Sequence, residues 1–212
     1  AQDRRFRYVR SDENRGAAWN FNRTFHLSRG RYFKWMAHDD LLAPTYLERC
    51  MSVLESGPRD VVLCFPQRLE IDADGHVIGL DRKRSVLEAG PPFDNISFAR
   101  LMRLPGRLCP TLVFGLIRAE ALRSTRLILP CPSADLVLVA ELRLLGRFRQ
   151  IPEALFLNRL HRETPAFRAA RRTPRGEAIW YDPASARRKK HASPGWRLLT
   201  ERLRAVRRCG HR

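Results

Sequence analysis

The sequence predicts an α/β fold in which a mostly parallel sheet is flanked by helices. Extended and helical patterns alternate at short intervals through residue 66, which is typical of layered α/β domains. Residues 61–65 are wholly apolar, as strands covered on both faces usually are. Residues 135–145 are apolar on nearly every face of a helix, so we expect this helix to be buried.

The first forty residues predict a strand, a helix and a second strand. Residues 6–10 mix aromatic, apolar and basic side chains in a roughly alternating order, as a strand would. Ala18, Phe21 and Phe25 then recur at helical spacing. Residues 32–37 form an aromatic-rich strand that leads directly into a pair of aspartates.

The next segment predicts a helix and a hairpin. A helix is expected between Pro44, which suits a first helical turn, and Gly57. An Asp-Gly pair at 74–75 lies between short apolar runs, which is typical of a hairpin turn. The turn lacks the further ligands and the closing Glu of a calcium-binding loop.

The second half of the chain predicts shorter elements. Pro152 lies within an extended run and therefore indicates an edge strand or a break. The expected elements are a helix at 95–104, a strand at 111–118, a helix at 119–124, the extended run 148–157 and a last helix from Trp196.

Charge divides the chain into two parts. The 212 residues have a formal net charge of +18. Residues 162–212 alone carry 15 basic and four acidic side chains. We therefore expect one folded domain over 1–161 and a basic, Pro-containing tail over 162–212.

Cysteine usage and hydropathy limit the classes of protein that remain. The five cysteines include no CxxC pair, so a disulfide framework or a thiolate zinc site is not expected. Cys50 and Cys64 lie among apolar residues and predict small core side chains. No apolar run approaches the ~18 residues of a membrane-spanning helix. A reducing, cytoplasmic setting fits this composition.

An acidic pair, Asp39 and Asp40, follows the aromatic strand. Ligands of α/β sheets bind at the carboxyl ends of strands, and adjacent carboxylates there can hold a divalent ion. Capping of the next helix is an equally good explanation of two aspartates. The sequence leaves both explanations open.

Two further residues could carry chemistry. Asp135 begins the buried helix, where the helix dipole stabilises its anion and where it could act as a general base. Taken alone, Asp135 is better explained as a simple N-cap. His161 follows an extended segment, and it is either a metal ligand, a proton carrier or an ordinary histidine.

Together these features resemble glycosyltransferase family 2, whose domains have the GT-A fold. The resemblance spans roughly residues 5–161 and depends on the order and spacing of its motifs. These motifs are Asn14-Arg15-Gly16, Asn22, Gly30-Arg31-Tyr32, His38-Asp39-Asp40, Ala134-Asp135 with Leu138, Leu142 and Gly146, and Arg159-Leu160-His161.

The resemblance implies a hexosyltransferase-type enzyme that moves a sugar from a nucleotide-diphosphate donor to an acceptor hydroxyl with inversion. By the same resemblance, Asp135 is the base, and Asp39 and His161 bind Mg²⁺ or Mn²⁺ at the donor diphosphate. The aromatic form of the Ala-His-Asp-Asp motif resembles a bacterial subgroup linked to polysaccharide or glycolipid assembly. The donor-binding residues would be Asn14, Gly16, Asn22, His38 and Asp40.

The chain departs from the family pattern in three respects. The aligned Asp-x-Asp motif is Ala37-His38-Asp39, and Ala134 stands where a Glu often precedes the base. The family also begins with a strand–loop–helix–strand unit that grips the base and ribose, and this chain starts after it. We therefore expect a GT-A-like domain that is truncated at the N terminus, with metal binding that relies on Asp39, Asp40 and His161.

The sequence leaves two other hypotheses about function open. A non-catalytic basic module would bind nucleic acid or acidic polymers, with Trp180, Tyr181 and Trp196 as stacking groups. An inactive remnant of a truncated glycosyltransferase is the third hypothesis. The concentration of basic residues in the tail, and the lack of a nucleic-acid-binding motif, favour the enzyme.

The tail has a hypothesis of its own. Trp196, Leu199, Leu203 and Val206 predict one apolar face of a basic helix. Such a helix either docks on an anionic membrane surface or packs on the domain. The first alternative would place the enzyme peripherally at the inner face of the membrane, next to a glycan or lipid-linked acceptor.

Overall fold

The computed structural model of this chain describes residues 3–81, 110–160 and 174–184. The helices in these ranges are α1 (Gly16–His26), α2 (Tyr46–Ser56), α3 (Ala119–Arg123), α4 (Ala134–Leu145) and α5 (Pro174–Tyr181), and a 3-10 helix spans Pro110–Phe114. The strands are β1 (Tyr32–Phe33), β2 (Leu41–Leu42), β3 (Val61–Ile71), β4 (Val77–Asp81), β5 (Leu116–Arg118) and β6 (Arg147–Arg159).

One sheet joins all six strands in the order β1-β5-β3-β6-β2, with β4 paired to the end of β3. The prediction of an α/β fold with helices around a sheet is confirmed. The two long strands, β3 and β6, are parallel. The other four pairings are antiparallel, so the described sheet is mixed rather than mostly parallel. The reason is that the hairpin and the short strands β1, β2 and β5 return against the long pair.

The parallel pair of β3 and β6 determines where polar loops meet. Its carboxyl ends lie side by side, since Ile71 pairs with Arg159. The register shifts between the pairs Pro66–Ile151 and Gln67–Ala154. Pro152 therefore lies in this break of β6, as predicted. A bulge is the position where an interior strand tolerates proline. Strand β2 pairs with β6 only at Phe156 and Leu157, so the alternative of a local edge stays open.

Helices cover the sheet through two apolar clusters. Phe25 of α1, Leu122 of α3 and Leu138 of α4 belong to the larger cluster. Helix α2 packs in the smaller cluster, which also contains Cys50 and Cys64. Both cysteines are fully buried, as their apolar neighbours predicted.

Helix α4 is buried as predicted, although two of its buried residues, Glu141 and Arg143, are charged. Glu141 is fully buried, and its carboxylate accepts a hydrogen bond from the backbone N–H of Arg126 at 2.8 Å. The same carboxylate pairs with the Arg126 guanidinium. This pairing explains how a buried helix accommodates a carboxylate, because an unpaired one would be costly.

Three predicted strands differ from the structure. Residues 6–10 are not in a strand, the strand expected over 32–37 ends at Phe33, and the one expected over 111–118 begins as the 3-10 helix. The chain leaves the sheet after Phe33 because Trp35 inserts its side chain into the larger cluster. There the indole N–H donates to the backbone carbonyl of Phe21 at 2.9 Å.

Some predictions fall outside the described residues. These are the helix expected at 95–104, the last helix from Trp196 and the site residue His161. Within the described ranges, every helix is too short or too polar to cross a bilayer.

Candidate active site

The acidic pair lies at the carboxyl end of β6. Asp40 is 5% exposed. Its Oδ1 accepts hydrogen bonds from the side-chain amide of Asn158 and from the backbone N–H of Arg159, both at 2.9 Å. The carboxylate of Asp40 therefore ties the loop that contains it to the end of the parallel pair.

Asp39 lies beside this tie and is more accessible. Its side chain is 22% exposed, and its Oδ1 is 3.7 Å from Nδ1 of the exposed His38. The backbone carbonyl of Asp39 accepts a hydrogen bond from Nε of Arg159 at 3.0 Å. The backbone of the acidic pair is thus fixed, while the Asp39 carboxylate stands at the carboxyl edge of the sheet.

Arg159 also holds the turn between β3 and β4. Its Nη1 donates to the backbone carbonyls of Asp72 and Ala73 at 2.9 and 2.7 Å. One guanidinium therefore bridges the acidic pair and the hairpin turn. In the sequence, Arg159 stands out only as part of an Arg-x-His motif, because its bridging role depends on contacts with residues that are distant in the chain.

The hairpin turn itself contains a second acidic group. One ligand atom from each of Asp72, Asp74 and His76 lies within 4.8 Å of the others. The backbone N–H groups of Asp74 and His76 donate to Oδ1 of Asp72 at 3.0 and 2.9 Å. Of these, the bond from the His76 N–H does most to lower the pKa of Asp72. The sequence predicts a hairpin turn here and no calcium-binding loop, and the spacing Asp-x-Asp-x-His is the signal that could have indicated this group.

Asp135 lies in the first turn of α4, which begins at Ala134 with Ser133 as its N-cap residue, so Asp135 is not the N-cap. Its Oδ1 accepts the backbone N–H of Leu136 at 2.9 Å. The residue lines a cleft of about 340 Å³, whose walls are mainly apolar and include the aliphatic side chains of Val113, Ile128 and Leu136. The other lining side chains include Phe21, Phe114, Trp180, Tyr181, Thr111 and Ser133. A carboxylate in such a cleft can accept a proton from a bound hydroxyl.

The wall of this cleft has unusual backbone geometry. Leu127 and Ser133 have φ values of +58° and +57°, a conformation that costs free energy in residues other than glycine. The side chain of Asn22 holds the segment between them. Its Nδ2 donates to the carbonyl of Ile128 at 2.9 Å, and its Oδ1 accepts the N–H of Ile128 at 3.0 Å. Asn22 therefore reaches the cleft through the backbone that it fixes.

Asn14 and Gly16 border a second cleft, of about 690 Å³, which shares Phe21 and Trp180 with the first. Oδ1 of Asn14 accepts the backbone N–H of Gly16 at 3.0 Å. Gly16 has φ of +84°, and a Cβ there would lie 2.5 Å from the carbonyl oxygen of Tyr181. Glycine at this position lets α1 approach α5 closely.

The predicted site residues fall into two groups. His38, Asp39 and Asp40 lie with Arg159 at the carboxyl edge of the sheet. Asp135, Asn22, Asn14 and Gly16 surround the two clefts. Trp35 and Phe21 connect the two groups. Trp35 is four positions before Asp39, and its ring centroid lies 5.9 Å from that of Phe21, which lines both clefts. The resemblance also implies that Asp39, Asp135 and His161 meet at one rim of the sheet, and this stays a prediction because His161 lies outside the described residues.

Comparison with known families decides the class of protein. The model of the family described as Glycosyl transferase family 2 matches residues 1–117, which is more than half of the chain. This chain belongs to glycosyltransferase family 2. The resemblance noted from its motifs is thereby confirmed. A comparison with curated proteins gives no match.

Family membership identifies a glycosyltransferase domain and, in general terms, substrates that are a nucleotide sugar and an acceptor. The matched region contains the acidic pair and α1, whereas Asp135 and α5 lie beyond it. Members of this family often use a divalent metal, and the group of Asp72, Asp74 and His76 could bind one.

Proposed function

We propose that this glycosyltransferase transfers a hexose from a nucleotide-diphosphate donor to an acceptor hydroxyl with inversion, and that Asp135 is the base. One observation carries the proposal. In a chain of this family, the carboxylate in the first turn of the buried helix lines a cleft of aromatic, aliphatic and hydroxyl side chains. Such a cleft can hold a sugar and leaves the carboxylate within reach of its hydroxyl.

The proposed step balances in protons and electrons. Asp135 accepts the proton of the acceptor hydroxyl while the hydroxyl oxygen bonds to the anomeric carbon of the donor. The bond between that carbon and the diphosphate oxygen breaks, and the nucleoside diphosphate leaves with the electron pair. Because attack and departure occur on opposite faces of one carbon, the anomeric configuration inverts.

The acidic pair supports the donor side of the proposal. The carboxylate of Asp39 is the kind of ligand that Mg²⁺ or Mn²⁺ prefers, and such ions are often held by one or two carboxylates together with substrate phosphates. In this proposal Asp39 holds the ion with His161, which lies outside the described residues. A bound divalent ion would offset the negative charge that grows on the diphosphate.

The other proposed donor residues form two sets: those that could contact the donor and those that bond to the backbone around it. Asn14 and Gly16 border the larger cleft, where we propose that the nucleotide lies, and His38 is exposed beside Asp39. The hydrogen bonds of Asn22 and Asp40 to the backbone favour a supporting role for both. They would hold the cleft wall and the acidic loop in place around the donor.

Two substitutions test the roles of the carboxylates. We expect Asp135→Asn to lower kcat by roughly 10²–10⁴-fold, since a positioned base contributes about that factor, and to leave donor binding unchanged. We expect Asp39→Ala to lose the Mn²⁺ dependence of nucleotide-sugar binding, measured by calorimetry with and without the ion. Undiminished transfer by Asp135→Asn would remove it as the base, and unchanged Mn²⁺-dependent affinity of Asp39→Ala would remove it as a ligand.

The wider role follows from the sequence motifs. We propose that the enzyme is bacterial and acts in the synthesis of cell-surface polysaccharide or glycolipid, in the cytoplasm and peripherally at the inner face of the membrane. The apolar and basic pattern of residues 196–208 supports this location. Sedimentation with anionic lipid vesicles, comparing the chain with a version that lacks 190–212, tests the tail. Equal binding of both versions would end the membrane hypothesis.

A further inference from the structure

We infer that Lys34 is a positioning residue for sugar transfer, because its ammonium group ties one wall of the Asp135 cleft to the segment that leads into the acidic pair. The inference rests on the proposed function and adds a residue that sets the distance between the base and the donor side of the site. Lys34 itself would contact neither substrate.

The wall in question is the 3-10 helix Pro110–Phe114. Three of its five side chains, including that of Phe114, line the cleft that contains Asp135. Nζ of Lys34 donates a hydrogen bond to the backbone carbonyl of Phe114, where this helix ends. Loss of the bond would therefore free one wall of the cleft to shift.

The other end of the tie is the segment between β1 and the acidic pair. Lys34 directly follows β1, and its Nζ also donates to the backbone carbonyl of Trp35 at 3.1 Å. The buried indole of Trp35 anchors the start of this segment, and the bonds of Asp40 to β6 anchor its end. Asp39 therefore lies in a short stretch that is fixed on both sides.

Aromatic rings enclose the ammonium group of Lys34. Nζ is 4.7 Å from the ring centroid of Tyr46 and 5.0 Å from that of Phe156, and ring faces attract a cation. Asp40 also favours the charged form, although burial has the larger effect and lowers the pKa of Lys34 to about 8. With two carbonyls and two rings around it, the group is placed to join backbone segments and not to bind a phosphate.

The carbonyl oxygen of Phe114 has a second donor, which makes the role of Lys34 testable. The hydroxyl of Tyr46, at the start of α2, donates to the same oxygen at 3.0 Å. Removal of the Lys34 ammonium group therefore leaves this carbonyl with a partner, and the loss of stability should be small. The connection between the cleft wall and the acidic-pair segment is lost all the same.

The test compares steady-state transfer by Lys34→Met, Lys34→Arg and the parent chain. Met keeps the length of the side chain but has no donor. We expect its kcat to fall by about 10- to 100-fold, since small misplacements of reacting groups have effects of that size. The KM values for donor and acceptor should stay unchanged, because the tie acts on the geometry of the transition state. Arg keeps the charge and the donors and should recover most of kcat.

Tyr46→Phe is the matched control. It removes the second hydrogen bond to the Phe114 carbonyl and keeps a ring beside Lys34, so we expect the kcat of the parent chain. Thermal unfolding checks that each variant is folded at the assay temperature. Equal losses of kcat in Tyr46→Phe and Lys34→Met would overturn the inference, because general support of the carbonyl would explain both. A higher donor KM of Lys34→Met with unchanged kcat would overturn it too, since this would indicate direct contact with the donor.

A double-mutant cycle separates this inference from the proposed function. Lys34→Met should lower the residual kcat of Asp135→Asn by a smaller factor than it lowers that of the parent chain, because a misplaced wall matters less without the base. When Asp135→Asn is impaired, an equal factor in both backgrounds, or no loss from Lys34→Met in the parent, overturns the inference and leaves the base assignment standing. If Asp135→Asn transfers normally while Lys34→Met lowers kcat, the base assignment fails and the tie stands.

Discussion

The acidic loop and the Asp135 cleft are held in place by different physical means. Asp40 is buried and bonded to two donors at the end of β6, so the loop depends on polar contacts between distant segments. The cleft depends on apolar packing of α1 against α5 and on two residues in left-handed backbone conformation. We therefore expect the acidic loop to lose its position when the Asp40 carboxylate is removed. The cleft should instead lose its shape when α5 is displaced from α1.

Removal of the Asp40 carboxylate should have the largest effect on stability. Asp40→Ala leaves the amide of Asn158 and the N–H of Arg159 without their acceptor, so we expect the free energy of unfolding to fall by about 2–4 kcal/mol. Urea denaturation measures it. Asp40→Asn is the control, because its amide oxygen can accept the same two bonds, and a loss within about 1 kcal/mol is expected. Equal losses in both variants would mean that the charge, and not the hydrogen bonds, fixes the loop.

A paired glycine substitution compares the cleft with the hairpin turn that Arg159 ties to the acidic loop. Gly16 and Gly75 both have positive φ, of +84° and +95°. A Cβ at Gly16 would meet the backbone of Tyr181 at 2.5 Å, whereas one at Gly75 would meet only the end of Arg159 at 3.9 Å. Both alanine variants carry the same backbone strain, of about 1–2 kcal/mol.

The free energy of unfolding should therefore fall by about 1 kcal/mol more in Gly16→Ala than in Gly75→Ala, because α5 must move away to make room for the new Cβ. Hydrogen exchange should show faster exchange of α5 amides in Gly16→Ala only. If the two variants lose the same stability and α5 stays protected in both, close packing of α1 on α5 does not support the cleft.

The smallest effect on stability is expected from Lys34, which lies between the acidic loop and the cleft in the chain. Lys34 donates to the carbonyl oxygens of Trp35 and Phe114, and burial lowers its pKa to about 8. A lysine whose pKa is lower in the folded state destabilises that state while it is charged in both states. The unfavourable contribution of Lys34 to the free energy of unfolding should therefore shrink as the pH rises from about 8 to the pKa of the unfolded state, near 10.5.

The check is a comparison of unfolding free energies for the parent chain and Lys34→Met between pH 7 and pH 10. The difference, parent minus variant, should increase with pH. A difference that is constant across this range would mean that the ammonium group is better solvated than its buried position indicates.

Local chemistry in the sequence was sufficient for several elements. The apolar spacing of α1 and α2, the Asp-Gly turn of the hairpin and the apolar character of α4 each predict an element that the structure contains. These predictions succeed because neighbouring residues determine helix periodicity and turn conformation. The motifs also predicted the family, which the family model confirms.

Other features were decided only by tertiary contacts. Trp35 ends its strand early because an indole site exists between α1 and the core, and nothing near residue 35 in the sequence encodes that site. Pro152 is tolerated in β6 because the register of the parallel pair breaks there. Bridging by Arg159 and the pairing of Asn22 with Ile128 join segments about 87 to 120 positions apart in the chain.

The sequence by itself determined the family, the α/β class and the residues that could carry the chemistry, because these depend on residue type and on spacing along one element. The tertiary structure decided which of those residues lie at a cleft and which hold its walls. The physical reason is that a side chain's role depends on the partners that satisfy its hydrogen bonds. For Asp40, Asn22 and Asp135 those partners and surfaces come together only when the sheet and its helices are packed.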